Sequence, residues 1–230
     1  MEFYIFVTKK CNLNCRYCSI KPFLENSKSK TKELDVKKTA DFVLKNLSDK
    51  RNNVVFYGGE PLLNQKWIKR FIKLTENNNL IYTLQTNGKL LDKMDDFILQ
   101  KLDFIHLSLD GDQKTNDRER GKGVYKIILA NIHKIKTKFK GKLLARMTLI
   151  PQNSIYDSVM HLLSLNLFDY IYWQLEISPI KNNFQKIKKD YRAGIKKLVD
   201  FWIKNLKEGK MIGVVPFQVI ALSILNRKQH

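Results

Sequence analysis

Cysteine is almost missing from this chain: there are three in 230 residues, all within Cys11-Asn12-Leu13-Asn14-Cys15-Arg16-Tyr17-Cys18. An odd count, with nothing marking the chain as secreted, argues against a disulfide framework. A purely electron-carrying iron–sulfur site normally takes four protein thiolates, and no fourth cysteine is there to complete one. Long apolar runs are missing too. The longest, Met211 to Leu225, is interrupted by Pro216 and Gln218 and falls short of the about 18 residues that a spanning helix requires. Residues Met1 to Thr8 lack the basic start, apolar stretch and small-residue cleavage site of a signal peptide, and read as a strand. A cytoplasmic protein in a reducing compartment, with no membrane association, is expected.

Acidic residues are also scarce, 22 against 42 Lys and Arg, for a net charge of +20. Residues 181–230 hold 12 basic against 3 acidic residues, mostly on the polar face of one expected helix. Basic surfaces attract phosphates by releasing counterions, so nucleic acid stays a candidate partner. Lysine outnumbers arginine and asparagine and isoleucine abound, which reads first as compositional bias and a solvated lysine-rich face. An anionic protein partner fits the same charge.

The chain is 43% hydrophobic, ample for one large domain. No internal repeat or low-complexity linker divides it. Residues 1–210 read as the core and 211–230 as an apolar tail that closes its open side or docks a partner. Strand-like runs at 3–8, 54–57, 81–85, 104–109, 143–149 and 171–177 alternate with helical runs at 36–47, 66–77, 91–100, 124–137, 154–165 and 187–206. That alternation is the pattern of a parallel α/β fold. Asp35 is the expected N-cap of the first helix, and the polar residues 19–34 the expected loop before it.

Thiolates are soft ligands that suit iron–sulfur clusters, and a loop with C-x3-C-x2-C spacing can wrap one face of a [4Fe–4S] cube. Three ligands leave one iron open for a non-protein group. A structural zinc site would need a fourth ligand; His106, His133, His161 and His230 all lie far away in sequence, and one of them would have to fold back.

Cys11, Cys15, Tyr17 and Cys18 resemble the cluster loop of the radical S-adenosylmethionine (radical SAM) superfamily, in which an aromatic precedes the third cysteine. The resemblance implies a [4Fe–4S] cluster whose open iron is chelated by S-adenosylmethionine, on a partial (β/α)6 TIM-like barrel with helices outside. Further segments match in order. Tyr57-Gly58-Gly59-Glu60-Pro61 resembles the Gly-Gly-Glu segment that holds the cofactor's ammonium group; by itself it reads as a strand-to-helix turn allowing close backbone approach. Gln85-Thr86-Asn87-Gly88 resembles the Thr-Asn-Gly step of peptide-modifying and sulfatase-maturing members, with Asn87 a candidate contact. Ser108-Leu109-Asp110-Gly111 resembles the segment given to the ribose and methionine end; a carboxylate at a strand tip can accept two ribose hydroxyls.

Arg118 matches an Arg…Gly-x-Gly stretch, with a surface loop charge as the alternative. Arg146 lies within an apolar strand, where a charge calls for an anionic partner. The resemblance suggests the cofactor's carboxylate; Glu176 is the protein alternative. Strand alternation puts His106 on the same face as Ser108, and Tyr172, Gln174, Glu176 and Ser178 on one face of the sixth strand. His106 is therefore a candidate substrate or cofactor contact, with a hydrogen-bonded core histidine as the alternative, and Glu176 is a candidate substrate contact.

The implied activity is reductive cleavage of S-adenosylmethionine to a 5′-deoxyadenosyl radical that takes hydrogen from a substrate, with an external one-electron donor such as ferredoxin or flavodoxin. The motif set most resembles the peptide-modifying and sulfatase-maturing (SPASM-type) branch, without that branch's cysteine-rich C-terminal extension. A peptide or protein side chain is the expected substrate. The alternatives are a radical enzyme acting on RNA or a nucleotide, and a remnant that binds S-adenosylmethionine or peptide without turnover.

Overall fold

The computed structural model describes residues 1–18, 34–176 and 184–227. The expected loop at 19–34, apart from Leu34, lies outside these residues, as do Ile177, Ser178 and His230.

Six parallel strands form one open sheet: β1 (Glu2–Thr8), β2 (Asn52–Gly58), β3 (Leu80–Thr86), β4 (Phe104–Ser108), β5 (Lys142–Leu149) and β6 (Tyr170–Leu175). Their order in the sheet is their order in the chain. Parallel neighbours need crossover connections, and helices supply them: α1 (Val36–Lys45), α2 (Gln65–Thr75), α3 (Asp96–Lys101), α4 (Gln113–Arg120), α5 (Val124–Ile135) and α6 (Ile155–Ser164). Two more helices follow β6, namely α7 (Phe184–Lys207) and α8 (Val215–Arg227). This is the α/β architecture that the alternating periodicity implies. Among the described residues, no helix is long and apolar enough to cross a membrane.

The chain separates into two compact units. The first contains Met1–Leu107 and Asp117–Lys142. Its core is aromatic: Phe56 on β2 meets Phe71 of α2 edge-on at 5.7 Å and stacks on Tyr82 of β3, while Trp67 stacks on Phe71. The Asp35 side chain caps α1 through the amides of Lys37 and Lys38, and Val36, Ala40 and Val43 form its buried stripe. The second unit contains Ser108–Asn116 and the chain from Leu143 on. Trp173 and Trp202 both pack edge-on against Phe217 of α8, each at 6.0 Å. A Cβ on Gly194 of α7 would lie 2.4 Å from the Ile155 side chain, so only glycine lets α6 and α7 cross that closely.

Two stretches differ from the sequence expectation, each for a local reason. The helical run at 91–100 breaks into a 3-10 turn (Leu91–Lys93) and α3, because Met94 is extended and Asp95 starts a new helix. The loop around Arg118 is helix α4, whose uniformly polar sequence offers no apolar period to read. The tail from 211 is tied to β6: the Ile171 amide donates to the Gly213 carbonyl at 2.7 Å, Val214 bridges Ile171, and α8 follows. Pro216 sits in the first turn of α8, where its missing N–H leaves no bond unmade.

Asp95 gives the fold a direct test. One carboxylate oxygen caps α3 through Phe97 N and Ile98 N, and the other meets Lys69 Nζ at 2.7 Å. The Lys69 bond holds this carboxyl below its ordinary 3.8, so the ion pair contributes above that pH and fades as acid protonates the group. Asp95→Ala should cost about 1 kcal/mol of unfolding free energy. Asp95→Asn keeps the cap and should cost less, since a partly exposed pair contributes under about 1 kcal/mol. Urea titrations from pH 7 to pH 3 should show the wild type's advantage over Asp95→Asn constant above 3.8 and shrinking below it.

Candidate functional site

The three cysteines follow directly from the C-terminal end of β1. Cys11 is exposed, and Cys15 and Cys18 are half-buried. The Cys18 amide donates to the Cys15 carbonyl at 3.2 Å, tightening the second half of the loop into a turn.

Gly58 and Gly59 press the end of β2 against this loop. Gly58 has φ +141°, and a Cβ there would sit 2.5 Å from the Thr8 carbonyl oxygen; on Gly59 it would sit 2.3 Å from that of Lys10. The space next to both glycines is therefore filled by the chain's own backbone. Gly59 N donates to Thr8 O and Glu60 N to Lys10 O, both at 2.8 Å. The last residues before Cys11 are thus stitched to β2.

Glu60 is wholly buried. Its Oε1 accepts from Leu62 N at 3.1 Å and from Thr86 Oγ1 at 2.8 Å, and its Oε2 from Asn87 N at 2.8 Å. One carboxylate thus caps the 3-10 turn at Pro61–Asn64 and joins the ends of β2 and β3. Burial pushes its carboxyl above the ordinary 4.5, against the three bonds that favour the charged form. The proton-linked part of its contribution to stability is full below that ordinary value and is lost as pH rises through the raised one, while the three hydrogen bonds continue to hold the charged form.

Asn87 carries the link onward. Its Nδ2 donates to Asn12 Oδ1 at 2.7 Å and points at Cys11 Sγ, 3.9 Å away; its Oδ1 accepts from Lys89 N. Gly88 turns the chain at φ +82°, with Leu107 and Ile128 filling the space of a Cβ, and Asn131 Nδ2 binds the carbonyls of Gly88 and Lys89. Asn-Gly makes a strand-to-helix turn here, not a hairpin.

The loop's other flank rests on the end of α4. Arg16 N donates to the Glu119 carbonyl at 2.9 Å, and the Arg120 guanidinium lies over the Tyr17 ring, 5.4 Å from its centroid. Arg118 Nε pairs with Glu119 Oε1 at 2.6 Å. Sequence reasoning singled out Arg118 and passed over Asn12, Thr86, Glu119 and Arg120. The dense Asp-Arg-Glu-Arg run at 117–120 is the one signal that marks the last two.

The second unit holds the remaining candidates, apart from His106. Asp110 is wholly buried, with Oδ1 accepting from Thr148 N at 2.9 Å. Ser108 is half-buried, and the Leu109 amide donates to the Arg146 carbonyl. Arg146 itself is half-buried rather than enclosed, and one guanidinium nitrogen donates to Gln174 Oε1 on β6. A neutral amide is therefore among its protein partners. Glu176 is half-buried just beyond β6, and its amide donates to Leu149 O. In the first unit, β4 alternates as expected: Ile105 and Leu107 are buried, and His106 is half-buried 6.5 Å from the Phe104 ring.

The donor set fits an iron–sulfur cluster. Two N–H groups are directed at the Cys11 sulfur, Leu13 N at 3.5 Å and Asn87 Nδ2 at 3.9 Å, and such donors favour a metal-bound thiolate. Partial desolvation of its sulfur raises the free Cys11 thiol, and a bound metal reverses that by deprotonating it outright. Among the described residues, no three His, Cys, Asp or Glu side chains gather as a single-ion site. A cube presents separate irons to separate thiolates, so it does not require that convergence.

Parallel strands whose first C-terminal end carries a three-thiolate loop, held by glycine and amide contacts, define a class of cluster-binding α/β protein. The Radical SAM superfamily profile matches residues 5–163, and the chain belongs to that family, whose cofactors are a [4Fe–4S] cluster and S-adenosylmethionine. A cysteine-type anaerobic sulfatase-maturating enzyme of Clostridium novyi (strain NT) is 26% identical over 95% of this chain and 63% of its own length. The solved structure of native anSMEcpe with bound AdoMet and Kp18Cys peptide superposes with TM-score 0.76 at 19% identity, over 94% of this chain and 64% of that one. Streptococcus suis SuiB bound to precursor peptide SuiA gives 0.65 at 19% identity, over 93% of this chain and 48% of that one. The chain thus spans less than two thirds of the length of these relatives.

Two substitutions test the anchors. Glu60→Gln turns one acceptor oxygen into a donor facing a buried donor, which should cost about 1–3 kcal/mol in urea unfolding at pH 7. Gly59→Ala must displace the Lys10 carbonyl, and the iron and sulfide held per chain after anaerobic loading should fall well below the wild-type value.

Proposed function

We propose that this protein is a radical SAM enzyme that abstracts hydrogen from a peptide or protein side chain. The observation that carries the reading is the Cys11 sulfur, approached by two N–H donors and locked through Asn87 and Glu60 to the ends of β2 and β3. A plain surface turn has no use for that arrangement, whereas a cluster-bound thiolate does. When bound, the cluster and S-adenosylmethionine supply one-electron cleavage chemistry, and the protein supplies orientation, electrostatics and exclusion of water.

In this reading Cys11, Cys15 and Cys18 hold the cluster, and Arg120 keeps Tyr17 against its loop. Gly58, Gly59, Glu60 and Asn87 fix the loop's position next to the cofactor's methionine end. Ser108 and Asp110 serve its ribose, and Arg118 and Arg146 its negative charge. His106 and Glu176 face the substrate, and a separate protein such as ferredoxin or flavodoxin delivers the electron. The sulfatase-maturating relative and the peptide-bound neighbours support the peptide substrate class.

The test is anaerobic loading with iron and sulfide, reduction, and chromatography of the products formed from S-adenosylmethionine. The wild type should release 5′-deoxyadenosine and Cys18→Ala should release none. Deuterium from side-chain-labelled peptides should appear in that product, and deuterium from labelled RNA should not. A loaded wild type that releases no 5′-deoxyadenosine would be a binder without turnover.

A further inference from the structure

The sheet of the first unit has two unlike faces. On one, Ile5, Val54, Phe56, Leu84, Ile105 and Leu107 are at most 5% exposed. A parallel sheet is as a rule covered on its other face too. Here the two inner strands of the unit, β2 and β3, keep that rule only part of the way. Val55 and Thr83 are each 1% exposed, and the Thr83 hydroxyl is used internally, donating to Asn53 Oδ1 at 2.8 Å. Two residues further along, on the same face, Tyr57 and Gln85 are only half-buried.

Strand register extends this opening sideways. Phe6 pairs with Tyr57 and Gln85 with His106, and Tyr57, one residue past the Phe56–Leu84 pair, falls beside Gln85. A row Phe6–Tyr57–Gln85–His106 therefore crosses four strands, and all four residues are half-buried. Three strand spacings make it roughly 14 Å long, the span of about four extended residues. Gly58 and Gly59 follow Tyr57 directly, and Thr86 and Asn87 follow Gln85. A ligand on the row thus lies next to the anchors of the cysteine loop.

Two features define what the row accepts. Phe6 and Tyr57 meet edge-on, with centroids 5.8 Å apart and planes at 77°. They make an angled apolar wall rather than the stacked platform on which successive bases lie. Gln85 is the unspent polar group: its side-chain amide makes no hydrogen bond among the described residues. It offers an acceptor oxygen and a donor NH2, and a peptide bond offers the matching N–H and C=O.

Building on the peptide-modifying reading, we propose that Phe6, Tyr57 and Gln85 are specificity residues for the peptide substrate. Gln85 pairs with a backbone amide of the peptide, and Phe6 and Tyr57 take the apolar side chain beside that amide.

The test uses the full chain loaded with cluster and S-adenosylmethionine, kept without air and without reductant, and titrated by calorimetry. Ac-Ala-Phe-Ala-NH2 should bind about tenfold tighter than Ac-Ala-Ala-Ala-NH2. Replacing each peptide bond flanking the Phe by an ester in turn removes one N–H, and one of the two esters should bind about threefold to tenfold more weakly. Gln85→Leu should erase that amide-over-ester preference and keep the Phe-over-Ala preference; Phe6→Ala should do the reverse. With 4-benzoylphenylalanine in place of the Phe, irradiation should attach the peptide to β1 or β2, read by mass spectrometry of the digest. This attachment needs no variant to fold. The proposal is overturned if the Phe peptide does not saturate, if neither ester weakens binding, if the label attaches elsewhere, or if uridine 5′-monophosphate displaces the peptide. Because no cleavage is read, binding at this row by a protein that releases no 5′-deoxyadenosine would uphold the row and remove only the radical reading. Conversely, deuterium transfer from a peptide that labels another surface would remove the row and leave that reading.

Discussion

A carboxylate sealed away from water organises the cysteine loop. Glu60 accepts three hydrogen bonds, one from the turn that follows it and two from the end of β3, and bonds to a charged acceptor are each worth about 1.5–3 kcal/mol. Set against that is the several kcal/mol needed to strip an ion of water. The balance holds only while all three donors stay in place, so the ends of β2 and β3 have little freedom to move apart. Asn87 extends the constraint from Glu60 to Asn12 and Cys11. Backbone contacts from Gly59 and Glu60 hold the other side of the loop entrance.

The fold was legible because burial imposes a period. Each strand and most helices fall within a few residues of where apolar alternation puts them, and Asp35 caps α1 as its position implies. What escaped had no such period. Helix α4 is polar on every side, and α8 is apolar on nearly every side, with Ile220, Leu222 and Leu225 all more than half exposed. A stripe cannot be read where there is no contrast. The site was legible in part for a different reason: cysteine spacing and glycine pairs carry chemical meaning without any structure. The partners that hold those residues, Thr86 for Glu60 and Glu119 for Arg16, are ordinary residues far away in sequence, and only the folded chain brings them together.

The two glycines illustrate how one sequence signal can carry two meanings. Read alone, Gly58-Gly59 says that something comes close. The structure shows the chain's own Thr8 and Lys10 carbonyls in that role, which fixes where the cysteine loop leaves the sheet. Glycine is then required for the loop's foundation as much as for any bound group.

The order of the anchors along the chain has a consequence for synthesis. The thiols leave the ribosome before their supports at Gly59, Asn87 and Glu119, which follow only as translation proceeds. At roughly 5–20 residues per second, the cysteines of a nascent chain wait on the order of 5–20 s for the last of these braces. During that interval they are unsupported thiols open to oxygen or stray metal, so faithful assembly favours delivery of iron and sulfur after the chain is released rather than while it is being made.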